Sequence, residues 1–356
     1  MPCVLWWGRF DPDYSRNRVL RGLLAEMDWE IVDFHPRFSP LGNAEAHFRQ
    51  VSKPDVIWVP CFRQRDLAAA SRWAKRRRIP LVFDPLISAY DKQIFERKKH
   101  LPHSRQAQRL RHWERSLFDR ADVLIADTQA HADYFSEEFG IAPDRIKVVY
   151  VGAETPLFHP SPMPDHADGS PLEVLFYGSF IELQAPQIIV EAARKYAGPP
   201  IRWTLLGKGP LRAECERLAR GLDSVRFEAP VPYARLPARI HEADLLLGVF
   251  DSGAKAGRVI PNKVFQSLAC GRPVVTRRSA AYPAACRGSG ERGLIWVEPG
   301  DPGALAQAVA QWAMQLRDSP DIGQRAADLY REVFSAAVIA EQLRGALAAA
   351  QALQSR

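Results

Sequence analysis

A short segment near residue 260 combines two cations with a predicted helix start, in a pattern that could bind an anion. It runs from Arg258 to Thr276 and reads RVIPNKVFQSLACGRPVVT. Pro261 favours a first helical turn, where a backbone N–H has no helical partner. Lys263 would then lie beside free backbone N–H groups and the positive end of the helix dipole. The segment predicts a phosphate site with Arg258 as a second cation; the alternative is an ordinary helix with solvated cations.

This helix would belong to the second of two segments in which short apolar runs alternate with helical periodicity. Such alternation is typical of parallel sheets with helices on both faces. Strands are predicted at 4–7, 31–34, 56–59, 80–83, 123–126 and 147–150, and then at 173–177, 202–206, 225–228, 244–249, 273–276 and 294–297. Helices are predicted at 15–27, 66–77, 104–119, 129–139, 186–196, 210–221, 233–242, 261–270 and 302–316.

A proline-rich stretch separates the two segments. We predict an N-terminal domain over 1–155, a linker over 156–171 and a second domain over 172–320. C-terminal helices are expected over 321–356, with packing on the N-terminal domain as one option. Two such sheets would place a ligand cleft between the carboxyl ends of both sets of strands.

The net charge of +7 is concentrated in one region. Between Arg63 and Arg120 the sequence holds 16 Lys or Arg against 6 Asp or Glu. Such a patch could contact anionic lipid, nucleic acid or an anionic substrate, and the alternative is a solvated helix face. The predicted helix 104–119 has its cations at helical spacing and a separate apolar side, formed by Leu110, Trp113 and Leu117. Its cationic face is predicted to hold Arg105, Arg109, His112 and Arg115.

The remaining composition argues for a cytoplasmic protein without a metal. The five cysteines form no CxxC pair, which disfavours a disulfide scaffold or a structural zinc site. We see no signal peptide, and no apolar run approaches 18 residues. Asp11-Pro-Asp13 spells DxD, but it precedes a predicted helix, so N-capping by Asp13 or Ser15 is the favoured interpretation. We expect neither a metal nor another cofactor.

The Arg258–Thr276 segment resembles the donor-binding segment of retaining GT-B glycosyltransferases related to family 4, with the pattern P-x-K-x-x-E/Q-x-x-A-x-G-x-P-V-V. The likeness extends over most of residues 173–312. It includes EVLFYGSF from Glu173 and LLGKGP from Leu205. In the N-terminal half it is looser and depends on Gly8 and on VGAE from Val151.

This resemblance implies a GT-B fold, in which two Rossmann-like, doubly wound domains face a central cleft. It also implies transfer of a sugar from a nucleoside-diphosphate sugar to an acceptor hydroxyl, with retention of configuration and without a metal. The acceptor would be a sugar, lipid-linked or a small molecule, in polysaccharide, glycolipid or natural-product glycosylation. The donor-binding residues would be Gly8, Gly178, Ser179, Gly207, Lys208, Pro261, Asn262 and Gln266.

The sequence departs from this family at several charged positions. Many relatives carry two acidic residues eight apart in the donor segment, where this chain has Arg258 and Gln266. An arginine that often follows the glycine is replaced by Ser179, and the customary downstream lysine is missing from the ELQA sequence that begins at Glu182. We therefore expect Arg258 and Lys263 to neutralise the diphosphate and Gln266 to hydrogen-bond the ribose.

Three charged residues of the first domain are further candidates. Asp84 ends a predicted strand, where the family has a histidine beside the sugar; it is either catalytic or a cap or turn residue. Arg16 and Arg18 begin a helix and would face the acceptor or lie in a solvated first turn. Gly8 follows the first strand and would let the backbone approach a ligand closely.

Two other functions fit parts of the sequence. A nucleotide-sugar epimerase on the same fold would need no acceptor. A nucleic-acid-binding protein would use the 63–120 patch, but the sequence has no zinc-finger, RRM or KH signature, so no nucleic acid is expected. If the acceptor is lipid-linked, residues 63–120 would give the cytoplasmic protein a peripheral contact with anionic membrane.

Overall fold

The computed structural model describes residues 1–167, 169–316 and 319–352, and within them the chain forms two parallel six-stranded sheets. Helices connect successive strands, so the predicted α/β class is confirmed. The chain divides into two compact units. The first unit consists of Met1–Gly152 and the last helix, which begins at Ala336; the second is Ala153–Ser335.

The first unit is a parallel sheet with helical connections. Its strands are β1 (Cys3–Trp7), β2 (Glu30–Phe34), β3 (Val56–Val59), β4 (Leu81–Phe83), β5 (Val123–Ala126) and β6 (Ile146–Val148). They lie in the order β2-β1-β3-β4-β5-β6. Its helices are α1 (Ser15–Glu26), α2 (Gly42–Phe48), α3 (Gln64–Arg77), α4 (Ala89–Asp91), α5 (Arg105–Phe118), α6 (Gln129–Phe139) and α13 (Ala336–Ala352), with a π-helical turn at Lys92–Glu96.

Both faces of this sheet are buried, which explains why its strands are continuous apolar runs. Successive residues of a strand point to opposite faces. Leu5 and Trp7 pack with residues of α3, α5 and α6, whereas Val4 and Trp6 pack with residues of α1 and α13. The sheet is therefore doubly wound, as expected.

The second unit repeats this architecture. Its strands are β7 (Leu172–Ser179), β8 (Ile201–Lys208), β9 (Val225–Glu228), β10 (Leu245–Leu247), β11 (Val274–Arg277) and β12 (Leu294–Val297). They lie in the order β12-β11-β10-β7-β8-β9. Its helices are α7 (Pro186–Lys195), α8 (Arg212–Leu218), α9 (Leu236–His241), α10 (Asn262–Ala269), α11 (Pro302–Gln315) and α12 (Ile322–Phe334). Strand order reverses between β7 and β10, and ligands bind at such reversals in open α/β sheets.

The C-terminal helices divide differently from the prediction, which grouped 321–356 together. The chain leaves helical geometry at Ser335, so α12 and α13 are separate helices. Phe334 packs edge-on against Phe265 in the second unit, whereas Ile339 lies in the core of the first. The backbone N–H of Tyr150 donates to Gln342 Oε1 at 2.9 Å, which fixes α13 to the first unit. Residues 353–356 of the predicted tail lie outside the described residues.

The predicted linker belongs to the second unit rather than to a free connection. The buried guanidinium of Arg272 donates to the carbonyl oxygens of Ser161 and Pro162, at 2.7 and 2.6 Å. These bonds attach the proline-rich stretch to the start of β11. Residue 168 of the linker lies outside the described residues.

One segment, Ile322–Ala352, is long and apolar enough by composition to cross a membrane. It is not an uninterrupted apolar run, because it includes charged residues such as Glu341 and Arg344. The segment is interrupted at Ser335, and its apolar side chains supply parts of both cores, including Leu329 and Leu343. We therefore assign its hydrophobicity to packing inside the two units.

Candidate functional site

The carboxyl ends of β7 and β8 meet the N-terminus of α10 in the second unit. The two strands pair in register up to Ser179 and Lys208. A Cβ built on Gly178 would lie 2.5 Å from Gln184 Oε1 and 3.2 Å from Lys263 Nζ. The glycine, the lysine and the carboxamide therefore share one location, beside the reversal of strand order.

Two glycines are required at this edge for backbone reasons. Gly178 has a φ of 150° and Gly207 a φ of 143°, values that side-chain-bearing residues rarely adopt. A side chain at Gly207 would overlap the carbonyl oxygen of Gly178. Close packing of the two strand ends thus explains both glycines, and direct ligand contact by them, by Ser179 or by the exposed Lys208 stays a prediction.

The amino group of Lys263 is buried and has no negatively charged partner among the described residues. Its side chain is only 4% exposed, and Nζ donates to Gln184 Oε1 at 3.0 Å. The ammonium also lies 3.8 Å from the centre of the Phe176 ring. In the described part of the chain no carboxylate forms an ion pair with it. Burial therefore lowers the pKa of Lys263 well below its ordinary value.

The helix that carries Lys263 begins one residue later than predicted. Pro261 is extended, with a ψ of 145°, and precedes α10 as its N-cap, so Asn262 is the first helical residue. No side chain caps this end within the described residues. The first backbone N–H groups of α10 are therefore available to an anion next to the lysine.

Gln266 lies one turn below, inside the unit. Its Oε1 accepts from the Tyr177 hydroxyl at 2.8 Å, and its Nε2 donates to the Tyr233 hydroxyl at 3.5 Å. Tyr233 in turn donates to Glu154 Oε1 at 2.7 Å. The carboxamide therefore holds α10 against β7, a role that the sequence did not indicate, and its contact with a ribose stays a prediction.

A loop that follows β10 brings Arg258 to the start of α10. Arg277, at the end of β11, donates to the carbonyl oxygens of Asp251 and Gly253 at 2.5 and 3.0 Å and so shapes this loop. The Arg258 backbone N–H donates to Lys255 O at 3.0 Å, which forms a turn. Arg258 is half-buried, and its contact with a diphosphate stays a prediction. Sequence reasoning missed Arg277, because nothing local links it to a loop about 25 residues earlier.

Arg16 and Asp84 form a buried ion pair in the first unit, which corrects both interpretations made for Arg16. Nε of Arg16 donates to Asp84 Oδ2 at 2.8 Å, and neither side chain is appreciably exposed. Nη1 of Arg16 donates to Val149 O and Tyr150 O, at 2.9 and 2.6 Å. Arg16 is thus neither solvated nor on an open acceptor surface. Asp84 is the charge partner of Arg16, and Ser88 rather than Asp84 caps the next helix; the turn role of Asp84 and its contact with substrate stay predictions.

Further polar groups surround this pair at the carboxyl edge of the first sheet. Burial raises the pKa of Asp84, although the Arg16 charge opposes the shift. Burial also raises the pKa values of the Tyr14 hydroxyl and the Cys61 thiol; the negative charge of Asp84 adds to both shifts, whereas the positive charge of Arg16 opposes them. Nearby, His131 Nδ1 lies 2.6 Å from Asp127 Oδ1 in another buried pair.

The start of the first unit differs from its predicted capping. The N-cap of α1 is Tyr14, without a side-chain cap, so capping by Asp13 or Ser15 was wrong. Asp11 Oδ1 instead accepts from the Asp13 backbone N–H at 2.9 Å, and Arg18 pairs with Asp13 at 2.9 Å. The acceptor role of Arg18 stays a prediction.

Gly8 follows β1 with a φ of 141°, and a Cβ there would lie 3.1 Å from Arg63 Cγ and 3.3 Å from Asp66 Oδ2. The φ angle favours glycine here, and a side chain would crowd Arg63 and Asp66. Across residues 1–167, 169–316 and 319–352, no three His, Cys, Asp or Glu side chains cluster as metal ligands would.

Comparison with known families accounts for most of the chain. A model described as glycosyl transferase 4-like domain matches residues 9–152, and one described as glycosyl transferases group 1 matches residues 171–315. The chain belongs to the GT4-like glycosyltransferases. The matched ranges correspond to the two units, which confirms the resemblance inferred from the Arg258–Thr276 segment.

Curated GT4-like relatives share about a third of their residues with the matched part of the chain. A D-inositol 3-phosphate glycosyltransferase of Acidothermus cellulolyticus is 33% identical over 218 residues, 56% of this chain and 47% of that protein. The enzyme of the same name from Corynebacterium glutamicum is 30% identical over 289 residues, 75% of this chain and 66% of that protein. The chain spans about half the length of the first curated relatives it matches.

Solved structures show the same GT-B fold. Anabaena Alr3699/HepE in complex with UDP-glucose aligns with a TM-score of 0.70 at 16% identity, over 98% of this chain and 99% of that one. Sucrose-phosphate synthase from Thermosynechococcus elongatus aligns with a TM-score of 0.70 at 17% identity, over 97% and 98% of the two chains. The predicted GT-B fold is thereby confirmed.

Proposed function

We propose that the chain transfers a sugar from a nucleoside-diphosphate sugar to an acceptor hydroxyl. The observation that carries this proposal is the buried ammonium of Lys263 at the N-terminus of α10, with a neutral carboxamide as its hydrogen-bond partner. A buried charge without a counter-charge is costly in the free protein, and a diphosphate would supply the missing negative charge. Binding of an anionic substrate beside Lys263 would therefore explain why the protein keeps this destabilising group.

The chemistry follows from the charge that develops on the leaving group. The bond between the anomeric carbon and the diphosphate oxygen breaks, and a bond to the acceptor oxygen forms. Negative charge then grows on the departing diphosphate, where fixed positive groups stabilise the transition state most. Lys263, the backbone N–H groups of α10 and Arg258 would supply those positive groups. We propose that no metal is needed and that configuration is retained, as the family resemblance implies.

The location of Lys263 supports its assignment to the diphosphate. Many family members carry cations after the glycine at position 178, where this chain has Ser179 and no downstream lysine. Lys263 Nζ lies 3.2 Å from the Cβ position of Gly178, so its charge reaches the same strand end from α10. Lys263, which is itself part of the family pattern, therefore provides a positive charge at the strand end where this chain lacks the other two cations.

The comparisons narrow the substrates to be tested first. Structural neighbours have been solved with UDP, UDP-glucose and glucose, and the curated relatives are named for D-inositol 3-phosphate. We propose a UDP-sugar as the first donor and a phosphorylated cyclitol, a free sugar and a lipid-linked sugar as the acceptor candidates. The first unit would supply the acceptor side, including Arg18.

A ligand screen followed by a product assay tests this function. Thermal shifts with UDP, GDP, ADP and CMP should single out one base, because a ligand that binds the folded state raises its apparent stability. The matching nucleotide-sugars are then incubated with and without each acceptor. We expect the nucleoside diphosphate to be released with a glycosylated product that needs the acceptor. An isomerised nucleotide-sugar formed without acceptor would instead establish the epimerase, and stabilisation by no nucleotide would contradict the donor site.

A further inference from the structure

One surface of the first unit exposes apolar side chains among cations. It is formed by the turn Lys92–Glu96, the loop 97–104 and the outer side of α5, and we call it the basic–apolar surface. Phe95 is 43% exposed, Leu101 78% and Trp113 40%. The cations around them are exposed as well, at Arg97, Lys98, Lys99, Arg105 and Arg109.

The local fold keeps these apolar groups outside the core. Glu114 of α5 is buried and accepts hydrogen bonds from Ser88 Oγ and from the backbone N–H groups of Ala89 and Tyr90, at 2.6 to 2.8 Å. This fixes α4 and the following turn against α5. Ile94 is buried, whereas Phe95 packs edge-on against the Tyr90 ring and stays partly exposed.

The structure corrects the predicted faces of α5. Trp113 was expected on the apolar side with Leu110 and Leu117, but only Leu117 is fully buried. Residues four apart share a helix face, so Arg105, Arg109 and Trp113 follow one another along the exposed side. Arg115 lies on another flank, 3.9 Å from Asp119, and is less suited to the cationic face than predicted.

The charge of this region is strongly one-sided. Between residues 92 and 113 the sequence holds seven Lys or Arg and a single carboxylate, Glu96. Cations alone would suit any polyanion. The exposed side chains of Leu101 and Phe95, however, would bury little apolar surface against a sugar–phosphate backbone. An anionic bilayer interface both buries apolar side chains and attracts cations. A leucine also lacks the π-face by which single-stranded nucleic acids stack on proteins.

We infer that the basic–apolar surface binds an anionic lipid bilayer, with Phe95, Leu101 and Trp113 entering the interface and the surrounding cations contacting lipid phosphates. Charge complementarity fixes the class of partner, and the apolar groups distinguish a bilayer from a soluble polyanion. The inference goes beyond sugar transfer and does not depend on the proposed donor.

Flotation of the full chain with vesicles tests the inference. We expect binding to phosphatidylcholine vesicles that contain phosphatidylglycerol, and no binding to pure phosphatidylcholine. Changing Lys98, Lys99 and Arg109 to Glu should weaken binding at least about 100-fold, because each cation near an anionic surface contributes about fivefold at low salt. The matched control places the same charge change at the exposed Arg217, Arg220 and Arg287 and should bind as the unchanged chain does.

A second variant isolates the apolar contribution. Changing Phe95, Leu101 and Trp113 to Ser should leave weak binding at low salt but remove the binding that persists at high salt. Equal binding to neutral and anionic vesicles would overturn the inference, as would equal loss in the control variant. Binding of RNA but not of anionic vesicles would assign the surface to a nucleic acid instead. Nucleotide-induced thermal shifts, measured on every variant, show that each remains folded and that the donor site is unaffected.

Discussion

At the scale of single residues, Lys263 combines two properties that rarely coexist. Its ammonium is buried, and its hydrogen-bond partner is the neutral side chain of Gln184. Natural proteins retain such destabilising groups where function needs them. The ligand-free protein is less stable because the favourable interaction of the group forms only when the ligand binds. The free protein should therefore be more stable without the charge.

Lys263→Met tests this trade-off. Methionine keeps the length and apolar stem of lysine but removes the unpaired charge, so we expect the ligand-free Tm to rise by about 2–4 °C, which corresponds to about 1 kcal/mol in a unit of this size. Sugar transfer should fall at least about tenfold, since one charge-assisted contact to the leaving group is lost. A lower Tm would mean that Lys263 stabilises the free fold and would contradict its assignment as a strained ligand group.

The pH dependence of that stability difference follows from the pKa shift. Burial holds the folded-state pKa of Lys263 well below the unfolded value, so the unfolded chain binds more protons between the two values. Wild-type stability relative to Lys263→Met should accordingly rise with pH through this window, and the Tm advantage of the variant should shrink towards about pH 10. A difference that stays constant between neutral pH and pH 10 would show that the pKa is not lowered.

The sequence located Lys263 but not its surroundings. Proline, lysine and glycine at helix-start and helix-end spacing are local signals, so α10 and its cationic first turn could be predicted. Gln184 could not, because its bond to Lys263 joins residues 79 positions apart. Gln266 was predicted to bind the ribose, which stays a prediction; only packing shows that Tyr177 and Tyr233 hydrogen-bond its carboxamide.

At the scale of elements, the Arg16–Asp84 pair ties the start of α1 to the end of β4 and to the chain that follows β6. Two charges at the start of a helix are usually solvated, so local sequence gave no sign of burial. The carbonyl oxygens of Val149 and Tyr150 complete the site for Arg16, and they lie more than 130 residues away. Only the assembled sheet brings these groups together.

Asp84→Asn should destabilise the first unit by about 3–5 kcal/mol in urea unfolding, because it leaves the buried Arg16 without a counter-charge. The double variant Arg16→Met, Asp84→Leu should recover much of this loss. The control Arg18→Met removes an exposed ion pair with Asp13 and should change stability by at most about 1 kcal/mol. If Asp84→Asn is as stable as the wild type, the pair does not hold the elements together.

The strands were predicted more reliably than the short helices. Every predicted strand is present within a few residues, because strands buried on both faces are continuous apolar runs. The turn Lys92–Glu96 and helix α4 were missed, since their fold depends on Glu114 capping them from α5. The C-terminal helices were predicted without a boundary between them, because neither glycine nor proline marks the break at Ser335.

At the scale of the whole molecule, we propose that fixed cations rather than a metal stabilise the leaving group. Turnover should therefore be unchanged after exhaustive treatment with EDTA. The assay compares EDTA-treated protein with and without added Mg²⁺ or Mn²⁺. Complete loss of activity with EDTA and recovery with either ion would contradict this proposal. A metal, held by carboxylates such as Asp11 and Asp13, would then be the main source of positive charge in place of Lys263.

The central claim is that Lys263 recognises the diphosphate of the donor. Isothermal titration calorimetry of the wild type and Lys263→Met, in EDTA, with the selected nucleoside diphosphate and its unphosphorylated nucleoside, tests it most directly. We predict that the variant binds the diphosphate about 10- to 100-fold more weakly, as expected for a lost hydrogen bond to a charged group, while nucleoside affinity is unchanged. Equal diphosphate affinity in the two proteins would contradict the claim.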